Sequence, residues 1–201
     1  MLFLDAAQVI KLAEAMPDHW GLVIHFAART GMRAGEINAL RMANVDLLRN
    51  RIHVRESISE VEGVQHFVPP KSGEERTVTI PPSLSRMLRD YLATQPQKGP
   101  RDFLFTDPDD ASKPIPYTRW FYLKVFKPAV IRAGLDPKLR FHDLRHTAAS
   151  LLIAAGVGPK VVQKHMGHSS FAITYDRYGH LYPDEADAQV ADALEAAFAT
   201  S

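Results

Sequence analysis

Val45-Asp46-Leu47-Leu48-Arg49-Asn50-Arg51-Ile52-His53-Val54-Arg55 is where the hydrophobic period of the chain changes. Before it, apolar residues recur every three or four positions. Within it they alternate, with Arg49-Asn50 placed as a turn between two short strands. Downstream, Phe67-Val68 and Arg76-Thr77-Val78-Thr79-Ile80 alternate in the same way, and Lys71-Ser72-Gly73-Glu74 is expected to link them as a second hairpin. Pro81-Pro82 ends the sheet, and Ser83 is placed to cap a helix running to about residue 93.

Outward from this region the pattern is helical. Asp5 can cap a helix over 5–16, in which Val9, Leu12, Ala13 and Met16 share a face. A buried helix follows over 20–28, then a break at Thr30-Gly31 and a short helix over 33–42. Residues 96–116 read as a loop holding an apolar island, Phe103-Leu104-Phe105. Helices are then expected over 117–133, 142–155, 159–166, about 170–178 and 184–199. The fold class is mainly α with a small antiparallel β-sheet, an α+β domain.

Composition narrows the function. With 201 residues and 46% apolar composition, the chain is long enough for one packed domain. It has no cysteine, which excludes disulfides and thiolate zinc sites and permits a cytoplasmic location, the compartment expected. No run is long and apolar enough for a membrane helix or a secretion signal. The net charge of +1 conceals an asymmetry, because no Lys or Arg follows Arg177 and the tail carries Asp184, Glu185, Asp187, Asp192 and Glu195. The other 18 acids stand against all 24 bases, so residues 1–180 carry +6. A basic body of this kind is compatible with a nucleic-acid partner.

Several polar positions could carry chemistry, though each alone fits an ordinary role. His142 and Arg145 fall three apart and share a helix face. An imidazole and a guanidinium together suit a phosphate, one moving protons near neutrality and the other offering a planar fork of donors. His168 sits at the junction Gly167-His168-Ser169-Ser170, where Gly167 ends one helix and Ser169 or Ser170 caps the next. Arg33 opens a helix after Gly31, with Glu36 one turn on. Lys71 is the only lysine between Lys11 and Lys98. Tyr178 closes the helical run Thr174-Tyr175-Asp176-Arg177-Tyr178, and Tyr175 lies on a similar face.

The ordered set is specific. Thr30-Gly31-Met32-Arg33-Ala34-Gly35-Glu36-Ile37 comes first, then Pro70-Lys71-Ser72 and His142-Asp143-Leu144-Arg145-His146-Thr147. Gly156-Val157, Gly167-His168-Ser169-Ser170 and Tyr178 complete it. In this order and over essentially the whole chain, the sequence resembles the catalytic domain of tyrosine recombinases, the family of phage integrases and Xer-type resolvases. The resemblance implies that fold over residues 1–180, with residues 181–201 as a tail helix docking in cis or on a neighbouring subunit. Ala186, Val190, Leu194 and Phe198 give that tail one apolar stripe. It also implies that the N-terminal DNA-clamping domain usual in the family is absent from this chain, which begins directly at the catalytic domain.

The activity implied is site-specific cutting and rejoining of double-stranded DNA through a 3′-phosphotyrosine, by a homo-tetramer on DNA, without metal, ATP or another cofactor. Arg33 and Arg145 would clamp the scissile phosphate, and His168 would donate a hydrogen bond to it. Tyr178 would attack phosphorus, and the ten-residue interval from His168 favours it over Tyr175. His142 would assist as acid or base, Lys71 would protonate the departing 5′ oxygen, and Glu36 would brace the site. The chemistry is consistent with those roles: fixed guanidinium groups stabilise charge growing on a phosphate, and a phenol of pKa about 10 needs help to become a nucleophile.

Two other readings stand beside this one. His142-Asp143-Leu144-Arg145-His146 has the His-x-x-x-His spacing of a two-ligand zinc face, so a zinc hydrolase using His142 and His146 is one alternative. Asp143 in place of that motif's glutamate, and Arg145 beside the metal, count against it. A recombinase-derived DNA-binding module without catalysis is the other, and its expected mark is loss of Arg33, Arg145 or Tyr178, all of which are present.

Overall fold

The computed structural model describes residues 2–17, 20–61, 64–71, 73–115, 120–182 and 186–199. Helix α1 spans Ala6–Glu14, closed at its start by a capping box. The Gln8 amide donates to Asp5 Oδ1 at 2.7 Å and the Asp5 amide to Gln8 Oε1 at 3.0 Å. Helix α2 (Trp20–Thr30) is buried along most of its length, and α3 is a single short helix, Ala34–Asn38. The expected extension of α3 to residue 42 fails because Arg41 turns extended to bridge Phe103, and a 3-10 turn, Met42–Asn44, follows.

The sheet region corrects the sequence reading. Strand β1 (Val45–Asp46) and β2 (Arg51–Val54) form the expected first hairpin, paired Val45 to Ile52. The second hairpin does not form. A strand missing from the sequence reading, β3 (Ser57–Val61), pairs with β4 (Val64–Val68) as a separate two-stranded sheet. Strand β5 (Arg76–Thr79) returns to β2, with Ile52 opposite Val78, so the larger sheet runs β1-β2-β5. Lys71 therefore lies on the connection between the two sheets, not in a tight turn of one. The alternation of Ser57-Ile58-Ser59-Glu60-Val61 was the available signal for β3, and both faces of its partner β4 are exposed, so burial gave no pattern to read.

Helix α4 (Pro82–Ala93) starts on a proline at its first position. Ser83 is not its cap; its Oγ takes a hydrogen bond from Arg29 at 3.2 Å. The expected helix 117–133 is a π-helical turn, Phe121–Phe126, running into α5 (Lys127–Arg132); residues 116–119 lie outside the described ones. Then come α6 (Asp143–Ala154), α7 (Pro159–Met166), α8 (Phe171–Tyr178), a 3-10 turn and α9 (Ala186–Ala199). In α9, the stripe residues Leu194 and Phe198 are exposed.

The main core is built by α1, α2, β2, β5, α4 and the 121–141 region. Trp20 stacks on Phe121 at 4.4 Å, and Phe141 packs edge-on to Phe121 and Phe126. A second, smaller cluster of Ala149, Ile153, Val162, Met166 and Tyr178 lies where α6, α7 and α8 meet. Burial of that apolar surface fixes the angle among the three helices, and with it the polar residues that line the corner. Among the described residues, no helix is long and apolar enough to cross a membrane.

Candidate active site

Two glycines make the corner possible. Gly31, at φ +62°, turns the chain from α2 towards Arg33, and a Cβ there would meet Met166 Sδ at 2.7 Å and Ala148 Cβ at 3.2 Å. Gly167, at φ +65°, ends α7 in the left-handed conformation, and a Cβ there would strike the Arg76 guanidinium. The backbones of these turns supply the carbonyls on which the arginines rest.

Arg145, on the first turns of α6, is buried. Its Nη1 donates to Gly31 O and its Nη2 to Met166 O, both at 2.5 Å. Arg33, partly exposed, donates from Nη2 to Gly167 O at 3.3 Å. The two guanidinium groups, 112 positions apart in sequence, thus lean on the carbonyls of adjacent residues, Met166 and Gly167. Burial and the charge of Arg33 press the pKa of Arg145 down to about 9, which still leaves it cationic at neutrality.

Glu36 anchors this cluster and is fully buried. Burial alone would raise its pKa, but a two-pronged pair with Arg76 (2.9 and 2.7 Å) outweighs that. Bonds from the Arg33 amide (2.8 Å) and guanidinium (2.9 Å) add to it, and the carboxyl sits at about 2. Sequence reading missed Arg76, which begins β5 and carries no motif of its own. At this corner three guanidinium groups face one carboxylate. Among the ion pairs of the described residues Glu36 is the acid that meets this cluster, which leaves a net positive corner whose natural complement is an anion.

Burial favours the neutral form of the histidines at this corner. His168 is buried, and its Nδ1 lies 2.8 Å from Thr174 Oγ1. Burial first, then the charges of Arg145 and Arg33, press its pKa to about 3. In the tautomer in which the threonine hydroxyl donates to Nδ1, the proton rests on Nε2, a buried atom that has no hydrogen-bond partner among the described residues. His142 is exposed at the N-terminal end of α6, where partial desolvation and Arg145 lower its pKa.

Tyr178 is fully buried at the end of α8. Its ring stacks on His168 with centroids 6.2 Å apart, and its hydroxyl lies 2.7 Å from His146 Nδ1. Burial raises the phenol pKa, while Arg145 and Arg177 oppose the rise. Tyr175 behaves differently: it is 56% exposed and stacks on Phe171, away from the cluster. The geometry therefore gathers Arg33, Glu36, Arg145, His168 and Tyr178, sets His142 at the edge, and leaves Lys71 exposed on the β4–β5 connection. No hydrogen bond or ion pair among the described residues ties Lys71 to the corner.

His146 was weighed in the sequence only as half of a zinc face with His142. In the structure the two rings meet edge-on at 5.0 Å and His146 turns to Tyr178. Among the described residues no third metal-binding side chain joins the pair.

Beyond His168 the corner opens into a groove of about 840 Å³ between β2, β5 and α7. Arg51, Arg55, Arg76, Lys160 and Lys164 line it against Glu74 and Glu75, so its walls are predominantly basic.

Comparison with known proteins identifies the family and the fold. The model of the phage integrase family matches residues 3–185. A putative prophage phiRv2 integrase of Mycobacterium tuberculosis is 31% identical over 173 residues, covering 84% of this chain and 44% of the relative. A XerC-like tyrosine recombinase of Caldanaerobacter subterraneus is 28% identical over 204 residues, covering 89% and 50%. Among solved structures, the catalytic domain of bacteriophage HP1 integrase superposes with a TM-score of 0.66 at 25% identity, covering 95% of this chain and 94% of that one. The Tn1549 transposon integrase in complex with transposon right end DNA gives a TM-score of 0.79 at 22% identity, covering 96% and 66%. The chain thus spans about half the length of the curated relatives and nearly all of a catalytic domain.

Proposed function

The chain belongs to the phage integrase family, and from that premise we propose that it is the catalytic domain of a site-specific recombinase that cuts and rejoins double-stranded DNA through a 3′-phosphotyrosine at Tyr178. The observation that carries this reading is the charge imbalance at the corner: Arg33, Arg76 and Arg145 against Glu36 alone, beside a buried phenol. A scissile phosphate is the anion that such a site fits.

In this reading Arg33 and Arg145 hold the non-bridging oxygens, where attack builds negative charge. The imidazole Nε2–H of His168 adds a neutral donor. The Tyr178 oxygen bonds to phosphorus as its hydroxyl proton passes to the neutral imidazole of His142, and the bond to the 5′ oxygen breaks. That oxygen takes a proton from Lys71, brought in from the β4–β5 connection, with His142 assisting proton movement at the edge. The phosphotyrosine keeps the bond energy, so the 5′ hydroxyl can attack it and restore the phosphodiester without ATP or a metal ion. The basic groove along β2, β5 and α7 tracks the backbone of the duplex. Two duplexes exchanging two strands each require four nucleophiles, hence a tetramer on DNA. The setting for such work is the cytoplasm.

The test is a pool of nicked suicide duplexes with randomised sequence at the cut site, incubated in EDTA and resolved on a denaturing gel. A covalent protein–DNA adduct is expected. It should vanish in Tyr178→Phe and persist in Tyr175→Phe. An adduct that survives Tyr178→Phe, or one that requires a divalent metal, would overturn the reading.

A further inference from the structure

Among the described residues His146 makes the one hydrogen bond to the hydroxyl of Tyr178, and the mechanism above gives it no task. Both groups are buried, at 5% and 0% exposure, so the bond is shielded from competition by water. The imidazole is itself held in place. It sits at the fourth residue of α6, next to Arg145, with Phe3 edge-on at 6.5 Å and His142 edge-on at 5.0 Å. The Leu4 amide donates to Thr147 Oγ1 at 3.1 Å, which pins the segment carrying Phe3 to the same helix.

Two imidazoles therefore grip one phenol. His168 lies flat against its ring, and His146 meets its oxygen. We propose that His146 is a positioning residue for the nucleophile: its Nδ1 accepts the O–H of Tyr178 and seats that oxygen beside the guanidinium corner. The inference rests on the reading of Tyr178 as the nucleophile.

The direction of the bond follows from chemistry. A phenol kept protonated by burial has one hydrogen to give, and it is a stronger donor than a neutral imidazole N–H. Nδ1 is then the bare nitrogen and the ring proton rests on Nε2. Because His146 and Arg145 are neighbours on one helix, the same element that fixes the cation fixes the oxygen that must approach the phosphate. Placement of this kind matters, since a reacting atom displaced by about 1 Å can cost roughly 100-fold in rate.

The geometry supplies a discriminating pair of variants. The Oδ1 of an asparagine lies two bonds from Cβ, as Nδ1 of histidine does, whereas the Oε1 of a glutamine lies one bond farther, near the Nε2 position. His146→Ala should slow single-turnover adduct formation by roughly 10- to 100-fold, on the suicide duplex recovered from the randomised pool. Its affinity for intact duplex should not change. His146→Asn should recover much of the rate and His146→Gln should not.

A second readout needs no substrate. Nitrogen NMR of the histidine-labelled chain at neutral pH should show an unprotonated Nδ1 at His146 that shifts in Tyr178→Phe. Nδ1 carrying the proton, or no response to Tyr178→Phe, overturns the proposal. So does His146→Ala reacting at the unsubstituted rate, or Gln rescuing as well as Asn. If Tyr178→Phe still forms the adduct, the fault lies with the choice of nucleophile. If only the His146 results fail, that choice stands and this inference falls alone. The protonation state of Nδ1 is read on the unsubstituted chain, so that result holds even where a variant does not fold.

Discussion

The corner of α6, α7 and α8 and the arm made by β3, β4 and the connection to β5 are built on opposite principles. The corner is dry. Arg145, Glu36, His168 and Tyr178 are buried there, tied to carbonyls, a hydroxyl, an imidazole or counter-charges, and among the described residues His168 Nε2 is left without a partner. The arm is open: every residue of β4 is exposed, and Phe67, stacked on Phe103 at 6.1 Å with Arg41 over both rings, is 48% exposed. Groups that stabilise charge must be in place before the reaction, because reorganising them during it costs energy. A group that delivers a proton has to arrive, so Lys71 suits a connection that the core does not constrain. Under the proposed reading, the groups that hold charge are buried and the group that would deliver a proton is exposed.

That contrast can be broken from either side. The largest expected effect is on the arm. Lys71→Ala should slow strand cleavage by about 10²- to 10⁴-fold while changing folding stability by less than about 0.5 kcal/mol. A duplex whose departing oxygen is replaced by sulfur should restore the rate, because a thiolate leaves without a proton. A Lys71→Ala variant that stays slow on the sulfur duplex would remove Lys71 from the role of acid.

At the corner, rate and stability should fall together. Arg145→Lys cannot reach Gly31 O and Met166 O at once, and should lose about 10²- to 10³-fold in adduct formation with a lowered melting temperature. Unchanged melting would show that the carbonyl contacts do not hold the corner.

Glu36→Gln sharpens the same point through stability. It strips the counter-charge from Arg76 and Arg33, and should cost about 3–5 kcal/mol at neutral pH. The Glu36 carboxyl is depressed from 4.5 to about 2, so its contribution is present above about pH 4.5 and is lost as pH falls towards 2. His146 and His168 add an acid sensitivity that begins higher. The unfolded chain binds their protons below about 6.5, whereas the fold keeps them neutral down to about 4 and 3. Stability should therefore decline as pH drops below about 6.5. Denaturant melts of the two chains across that range should converge as the pH approaches 2, and parallel curves would contradict the assignment. The smallest expected effect is that of Tyr175→Phe, which lies outside the corner and should leave both adduct yield and melting unchanged.

How much of this was legible in the sequence also divides along the same line. The helices that frame the corner were readable from apolar period, Gly31 and Gly167 from their place at helix breaks, and Arg33, Glu36, Arg145, His168 and Tyr178 from their order. Arg76 was not, because its role is set by where β5 returns to β2, a pairing that local alternation does not specify. His146 was visible only as a spacing with His142. What it does depends on the approach of α8, from 32 positions away. The arm was misread because exposed strands leave no burial pattern, so β3 was overlooked and β4 was paired with the wrong partner.

The central claim is that the oxygen buried beside His146 and His168 becomes the covalent link to DNA. The direct measurement is proteolysis of the trapped adduct, followed by mass spectrometry of the peptide that retains nucleotide. The account predicts a single 3′-phosphate on Tyr178. A nucleotide on Tyr175, or a link through the 5′ end of the strand, would contradict it.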